Sequence, residues 1–192
     1  MNRCVKASSR VGIRLGVLMS SLALSLLVLM ATGLLAGPAF RGQEAATREA
    51  AALAEGVQRT KDSLIRGLSA SARHGEPIAV TFELQHGRLQ LSVCTVRRET
   101  FWNITVDPAT WKVVAVEPIT SGDALATAHA QRAAMAKAKW SLHTVAVNTL
   151  KAHQGFSLVS IVPSLKAIGR PVADVTLVKG DEWKTVSIML TY

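Results

Sequence analysis

Two stretches of this chain carry the same strand pattern 82 residues apart, and that leaves few folds open. In the first, Ile78, Val80, Phe82 and Leu84 alternate with Ala79, Thr81 and Glu83. Gln85-His86-Gly87-Arg88 then supplies a turn, and Leu89, Leu91 and Val93 alternate with Gln90, Ser92 and Cys94. After the polar tip Arg97-Arg98-Glu99-Thr100 the alternation resumes with Trp102, Ile104 and Val106. Period-two alternation with turn-rich gaps marks an antiparallel meander with one buried face. In the second stretch Val159, Ile161, Pro163 and Leu165 lead to the turn Ala167-Ile168-Gly169-Arg170. Ala173, Val175 and Leu177 follow, then the tip Lys179-Gly180-Asp181-Glu182, then Lys184, Val186, Ile188 and Leu190. Gly87-Arg88 matches Gly169-Arg170; Val93 matches Val175, Val96 matches Val178, Phe101 matches Trp183, Ile104 matches Val186 and Val106 matches Ile188. A shared register of apolar positions points to duplication.

Helical segments precede each meander. Ala45, Ala46, Ala50, Ala51, Leu53 and Ala54 are interleaved with charged residues, so residues 40–60 read as a linker passing into a helix. That helix continues through Leu64, Ile65 and Leu68 and stops at His74-Gly75-Glu76-Pro77. In the second half an Ala-rich helix spans 124–138 behind the capping sequence Ser121-Gly122-Asp123, and another spans 142–153 behind Ser141. The expected fold class is α+β: two repeats of helix plus three-stranded antiparallel meander, residues 40–119 and 120–192. Trp111 to Glu117 is a candidate fourth strand of the first repeat. One such module is marginal alone, so the two are expected to share a core.

Residues 1–39 read as a targeting segment. Arg3, Lys6, Arg10 and Arg14 precede an apolar run from Leu15 to Ala36, long enough to cross a bilayer as a helix. Gly37-Pro38-Ala39 offers small residues at −3 and −1, which suits cleavage before Phe40. Signal peptide and retained anchor are both open. Either outcome places the rest outside the cytoplasm, periplasmic, secreted or anchored in the inner membrane, with the positive charges inside.

Setting this segment aside changes the charge. The chain carries net +9, with 22 basic and 13 acidic residues; four of the bases lie in residues 1–39, which leaves 18 against 13, or +5. The bases are scattered in sequence rather than gathered with stacking aromatics, so no nucleic-acid partner is expected. Cys4 and Cys94 lie on opposite sides of the apolar run and are not expected to pair.

No catalytic signature is present. The sequence lacks His-Glu-x-x-His, a Gly-rich phosphate loop, Cys-x-x-Cys and Gly-x-Ser-x-Gly. The five histidines have no i, i+4 pair. No cofactor, metal or catalytic residue is expected. Asp107 is the most distinctive acid, and its expected role is to cap its own turn.

An aromatic-Asn-Ile-Thr-Val-Asp-Pro-Ala-Thr segment behind a helix and hairpin, here Trp102 to Thr110, resembles the PepSY module. That family is marked by a strand ending in Val-Asp and a turn like Asp-x-x-Thr-Gly before a short strand. Trp111 stands where the family favours Gly, and the second half lacks the Asp turn. The resemblance implies an extracytoplasmic module that binds or restrains partners, proteases among them. The expectation is therefore a non-catalytic protein- or peptide-binding module of the cell envelope, held to the membrane if its N-terminal segment is uncleaved. The alternatives are a structural envelope component and a hydrolase or metal-dependent enzyme whose site is assembled from scattered residues. The candidate partner-binding residues are Phe101, Trp183 and Trp111. The first two are expected on the sheet face opposite Ile104 and Val186, where an exposed ring would anchor a partner.

Overall fold

The computed structural model describes residues 38–60 and 63–191. The targeting segment assigned to residues 1–39 lies almost wholly outside them. Among the described residues no helix is long and apolar enough to cross a membrane. The fold is α+β: among the described residues there are four α-helices and one seven-stranded antiparallel sheet.

The chain runs α1 (Pro38–Arg59), α2 (Ser63–Ser71), β1 (Glu76–Gln85), β2 (Arg88–Arg97), β3 (Thr100–Asp107) and β4 (Lys112–Ile119). It continues with α3 (Gly122–Met135), α4 (Leu142–Ala152), β5 (Ser157–Lys166), β6 (Arg170–Lys179) and β7 (Glu182–Met189). Two expectations need correction. The stretch read as a linker passing into a helix is helical from Pro38, and the one helix foreseen up to His74 is two. α1 ends at Arg59, just before Thr60, whose backbone N–H and hydroxyl both donate to the Val57 carbonyl, at 3.0 and 2.6 Å. A tightened three-residue turn of this kind ends an α-helix. The candidate fourth strand of the first meander is present, so that meander has four strands where three are expected of the repeat: Lys112–Ile119 pairs along β3. Ser141 caps α4 as expected, accepting from Thr144 N–H at 3.2 Å, whereas the Ser121 side chain makes no capping bond to α3.

The strand order is β4-β3-β2-β1-β5-β6-β7. The two halves meet at the centre, where Val80 faces Ile161 and Thr81 faces Ser160. One face carries Val80, Phe82, Leu91, Val93, Ile104 and Val106 with Ile161, Ala173, Val175 and Leu177. These pack under Ala54 and Val57 of α1, Leu64 and Leu68 of α2, and Leu142, Val145 and Ala146 of α4. Burying a side chain of this size contributes about 1.5–3 kcal/mol, which is why this face sets the register. Gln58 latches α1 to the β6–β7 turn: its Oε1 accepts from Gly180 N–H at 2.8 Å and its Nε2 donates to the Gly180 carbonyl at 3.3 Å.

The far face is divided. Near the β2–β3 turn Ile78, Ala79, Cys94, Phe101 and Ile119 form a smaller core with Ala128 of α3. Next to it a row of hydroxyl residues crosses six strands in register: Thr105, Ser92, Thr81, Ser160, Thr176 and Thr185. Such a row cannot seat another apolar helix. The far face therefore stays polar along this row.

Candidate functional site

The three aromatic candidates have different fates. Phe101 and Trp183 do occupy matched places, since Phe101 pairs with Val96 and Trp183 with Val178. Both lie on the far face, as their alternation requires. Phe101, however, is 1 % exposed beneath α3, with its ring 4.7 Å from that of His129 in an edge-to-face contact. It is a core residue and cannot be a partner anchor. Trp183 is 38 % exposed. It stands at the start of β7, at the end of the sheet away from α3.

Trp111 is half-buried against the main core. Its backbone adopts φ +58°, the left-handed conformation the turn needs and a glycine would take without strain. The turn holds it there. Trp111 N–H donates to the Asp107 carbonyl at 2.7 Å, Ala109 N–H donates to Asp107 Oδ1 at 2.8 Å, and the Thr110 hydroxyl donates to Oδ2 at 3.1 Å. These bonds, the Ala109 N–H first, hold the Asp107 carboxyl below its usual range. Asp107 thus caps its turn, and Trp111 closes it while packing inward rather than facing a partner.

The sheet's two edges differ. β4 is guarded by Pro118 and by an irregularity opposite Thr105 and Val106. Both devices discourage pairing with another chain. β7 carries neither: its register with β6 is unbroken from Lys179–Glu182 to Val172–Met189. Six of its eight residues are exposed, with Trp183 and Met189 (42 % exposed) at its two ends on the far face. An unguarded edge beside an exposed aromatic ring can accept an extended chain by backbone hydrogen bonds, with Trp183 as a side-chain anchor.

Residues that the sequence did not single out shape a second place. The β2–β3 turn places two consecutive non-glycine residues, Arg98 (φ +48°) and Glu99 (φ +67°), in the left-handed region. The Glu99 carboxylate takes both guanidinium nitrogens of Arg132 on α3, which lowers its pKa, the hydrogen bond being the main cause. Below the turn lies a cavity of about 270 Å³ with Ile78, Val96 and Met135 in its walls and Glu76, Arg98 and Arg132 among its charged groups. The signal was available as two charged residues where a two-residue hairpin favours Asn-Gly. Among the described residues no group of three or more His, Cys, Asp or Glu side chains could hold a metal ion. Cys94 is fully buried in the smaller core.

No family model matches the chain, and no curated protein matches it. The resemblance to PepSY therefore rests on the residues quoted for it alone. Among solved structures, a protein of Clostridium difficile described as a candidate lipoprotein is 12 % identical. The match covers 62 % of this chain and 78 % of that one, with a TM-score of 0.36. A likeness at that score carries no argument about fold or function.

Proposed function

We infer that the chain is a non-catalytic binding protein of the cell envelope, built from two copies of one PepSY-like α+β module. It takes a protein or peptide partner along β7. The observation that carries this reading is the unguarded β7 edge beside exposed Trp183, opposite a β4 edge that is guarded.

Duplication is supported by details that chance would not align. The irregularity in β1 lies opposite Thr95 and Cys94, and that in β5 lies opposite Leu177 and Thr176, an offset of 82 in both partners. The hairpin tips match as well, Arg97 facing Thr100 and Lys179 facing Glu182. Location outside the cytoplasm is supported by the basic residues and apolar run of the first 39 positions. A peptide laid along β7 would gain main-chain bonds over about 23 Å, seven residues at strand spacing. Restraint of an envelope protease is one use of such a contact, because a strand-added segment is held away from other sites.

The test is capture on the tagged full chain from envelope membranes, comparing the native sequence with Trp183→Ala and with Val116→Asp on the opposite edge. A partner kept by the native chain and by V116D but lost by W183A supports the reading. Identical profiles for all three would remove it and favour a structural component.

A further inference from the structure

Cations scattered in the sequence are gathered by the strand pairing at one end of the sheet. The β2–β3 turn, the β5–β6 turn, the start of β1 and the last residues of β4 and β7 all lie there. Arg97, Arg98, Lys166 and Arg170 flank the two turns and are exposed. Exposed Lys137 and Lys139 join them from the loop after α3: Lys137 Nζ lies 3.4 Å from the Gly169 carbonyl, and Lys139 N–H donates to the Leu190 carbonyl. The acids at this end are Glu76, Glu99, Glu117 near the end of β4 and Asp123 in the first turn of α3, and Glu99 is already occupied by Arg132. Asp174, four residues along β6 from Arg170, holds Lys166 at 3.0 Å. At the opposite end Arg88, Lys112, Lys179 and Lys184 stand with Asp107, Asp181 and Glu182.

In the β5–β6 turn at this end sits Ile168, 91 % exposed, the most exposed large apolar residue among those described. Its backbone is at φ +64°, ψ +20°. A β-branched residue is a genuine outlier there. Neither burial nor backbone preference accounts for an isoleucine at this tip. Leu165, 38 % exposed, and exposed Ala167 extend the apolar tip.

We propose that this end of the sheet docks on an anionic lipid bilayer, with Ile168 entering the boundary between headgroups and acyl chains. An apolar tip ringed by Lys and Arg suits that boundary, since the aliphatic stems lie along the apolar layer and the charged heads stay among phosphates. The cations add attraction to anionic lipid. A soluble polyanion would use the cations and leave Ile168 in water. A protein pocket would use Ile168 without needing the ring of charge. The surface is separate from the β7 edge, and its test does not depend on a peptide partner.

The test uses the full chain with Cys4→Ser and Ile168→Cys, labelled with an environment-sensitive fluorophore and reconstituted in vesicles. The vesicles are phosphatidylcholine alone or phosphatidylcholine mixed with phosphatidylglycerol. The label reports only its own surroundings, so attachment elsewhere on the chain does not move it. In the anionic vesicles emission should shift to the blue and be quenched by nitroxide-bearing lipid, while a label at Asp181→Cys on the opposite end should not change. The docked-to-undocked ratio should fall about fivefold for Lys137→Gln and again for Arg170→Gln. A label at 168 that stays in water on both vesicles overturns the proposal. So does an equal shift on both lipid mixtures, or a shift produced by polyphosphate without lipid.

Discussion

Replacing Ile168 with asparagine should make the protein more stable. A non-glycine residue held in the left-handed region costs about 1–2 kcal/mol, while asparagine visits it readily through local hydrogen bonding. The usual loss on removing an aliphatic side chain is absent here, because Ile168 is 91 % exposed and buries almost nothing. The expected gain is therefore about 1 kcal/mol, which for a chain of this size raises the midpoint of unfolding by about 2–4 °C. Ile168→Gly should gain less, since glycine loses about 0.5–1 kcal/mol more to chain entropy on folding. Ile168→Val keeps the branched Cβ and should change little. The assay is thermal unfolding followed by far-ultraviolet circular dichroism on the four proteins side by side. An asparagine variant no more stable than the native chain would refute the reasoning, for it would mean that the tip is unstrained or that Ile168 rests on something.

Three further outcomes follow from the geometry. Phe101→Ala should cost about 3–5 kcal/mol as a fully buried ring is lost, whereas Trp183→Ala should cost about 1 kcal/mol; chemical denaturation separates them. Asp107 has its pKa lowered on folding, so its contribution is fully present above its ordinary value near 3.8 and is lost as pH falls through the lower folded value. The difference in melting temperature between the native chain and Asp107→Ala should accordingly be constant near neutral pH and shrink in acid; a difference that grows in acid would contradict the cap. Gly75 sits at φ +150°, and a Cβ there would lie 2.7 Å from the Val96 carbonyl oxygen. Gly75→Ala should therefore destabilise by about 1–3 kcal/mol in the same unfolding assay.

The strands were legible because a buried face imposes period two, and that signal survives in Ile78 to Val106 and again in Ile161 to Ile188. Even the matching of Phe101 with Trp183 could be read from the shared register. Their opposite burial could not. It depends on α3, whose alanines show no strong apolar stripe to say which side of the sheet they cover, and only the packing of Ala128 against Phe101 and Cys94 decides it. The turn at Trp111 was foreseen from Asp107, but its left-handed backbone was not, because there the sequence breaks the local preference and the packing of the ring offsets the strain. The basic end was missed for another reason. Arg98 and Arg170 are 72 positions apart, and only the meeting of β1 with β5 brings their turns to one end.

The buried Leu190 bears on how the chain can fold at all. It lies in the same core as Ala54, its N–H reaches the Pro171 carbonyl at 3.1 Å, and its own carbonyl receives the N–H groups of Lys139 and Trp140. The central pairing of β1 with β5 likewise joins residues about 80 positions apart. A chain that emerges in sequence order therefore cannot finish this core from its early portion alone. Until residue 190 has emerged, the core that covers the apolar face of the first meander lacks its last member.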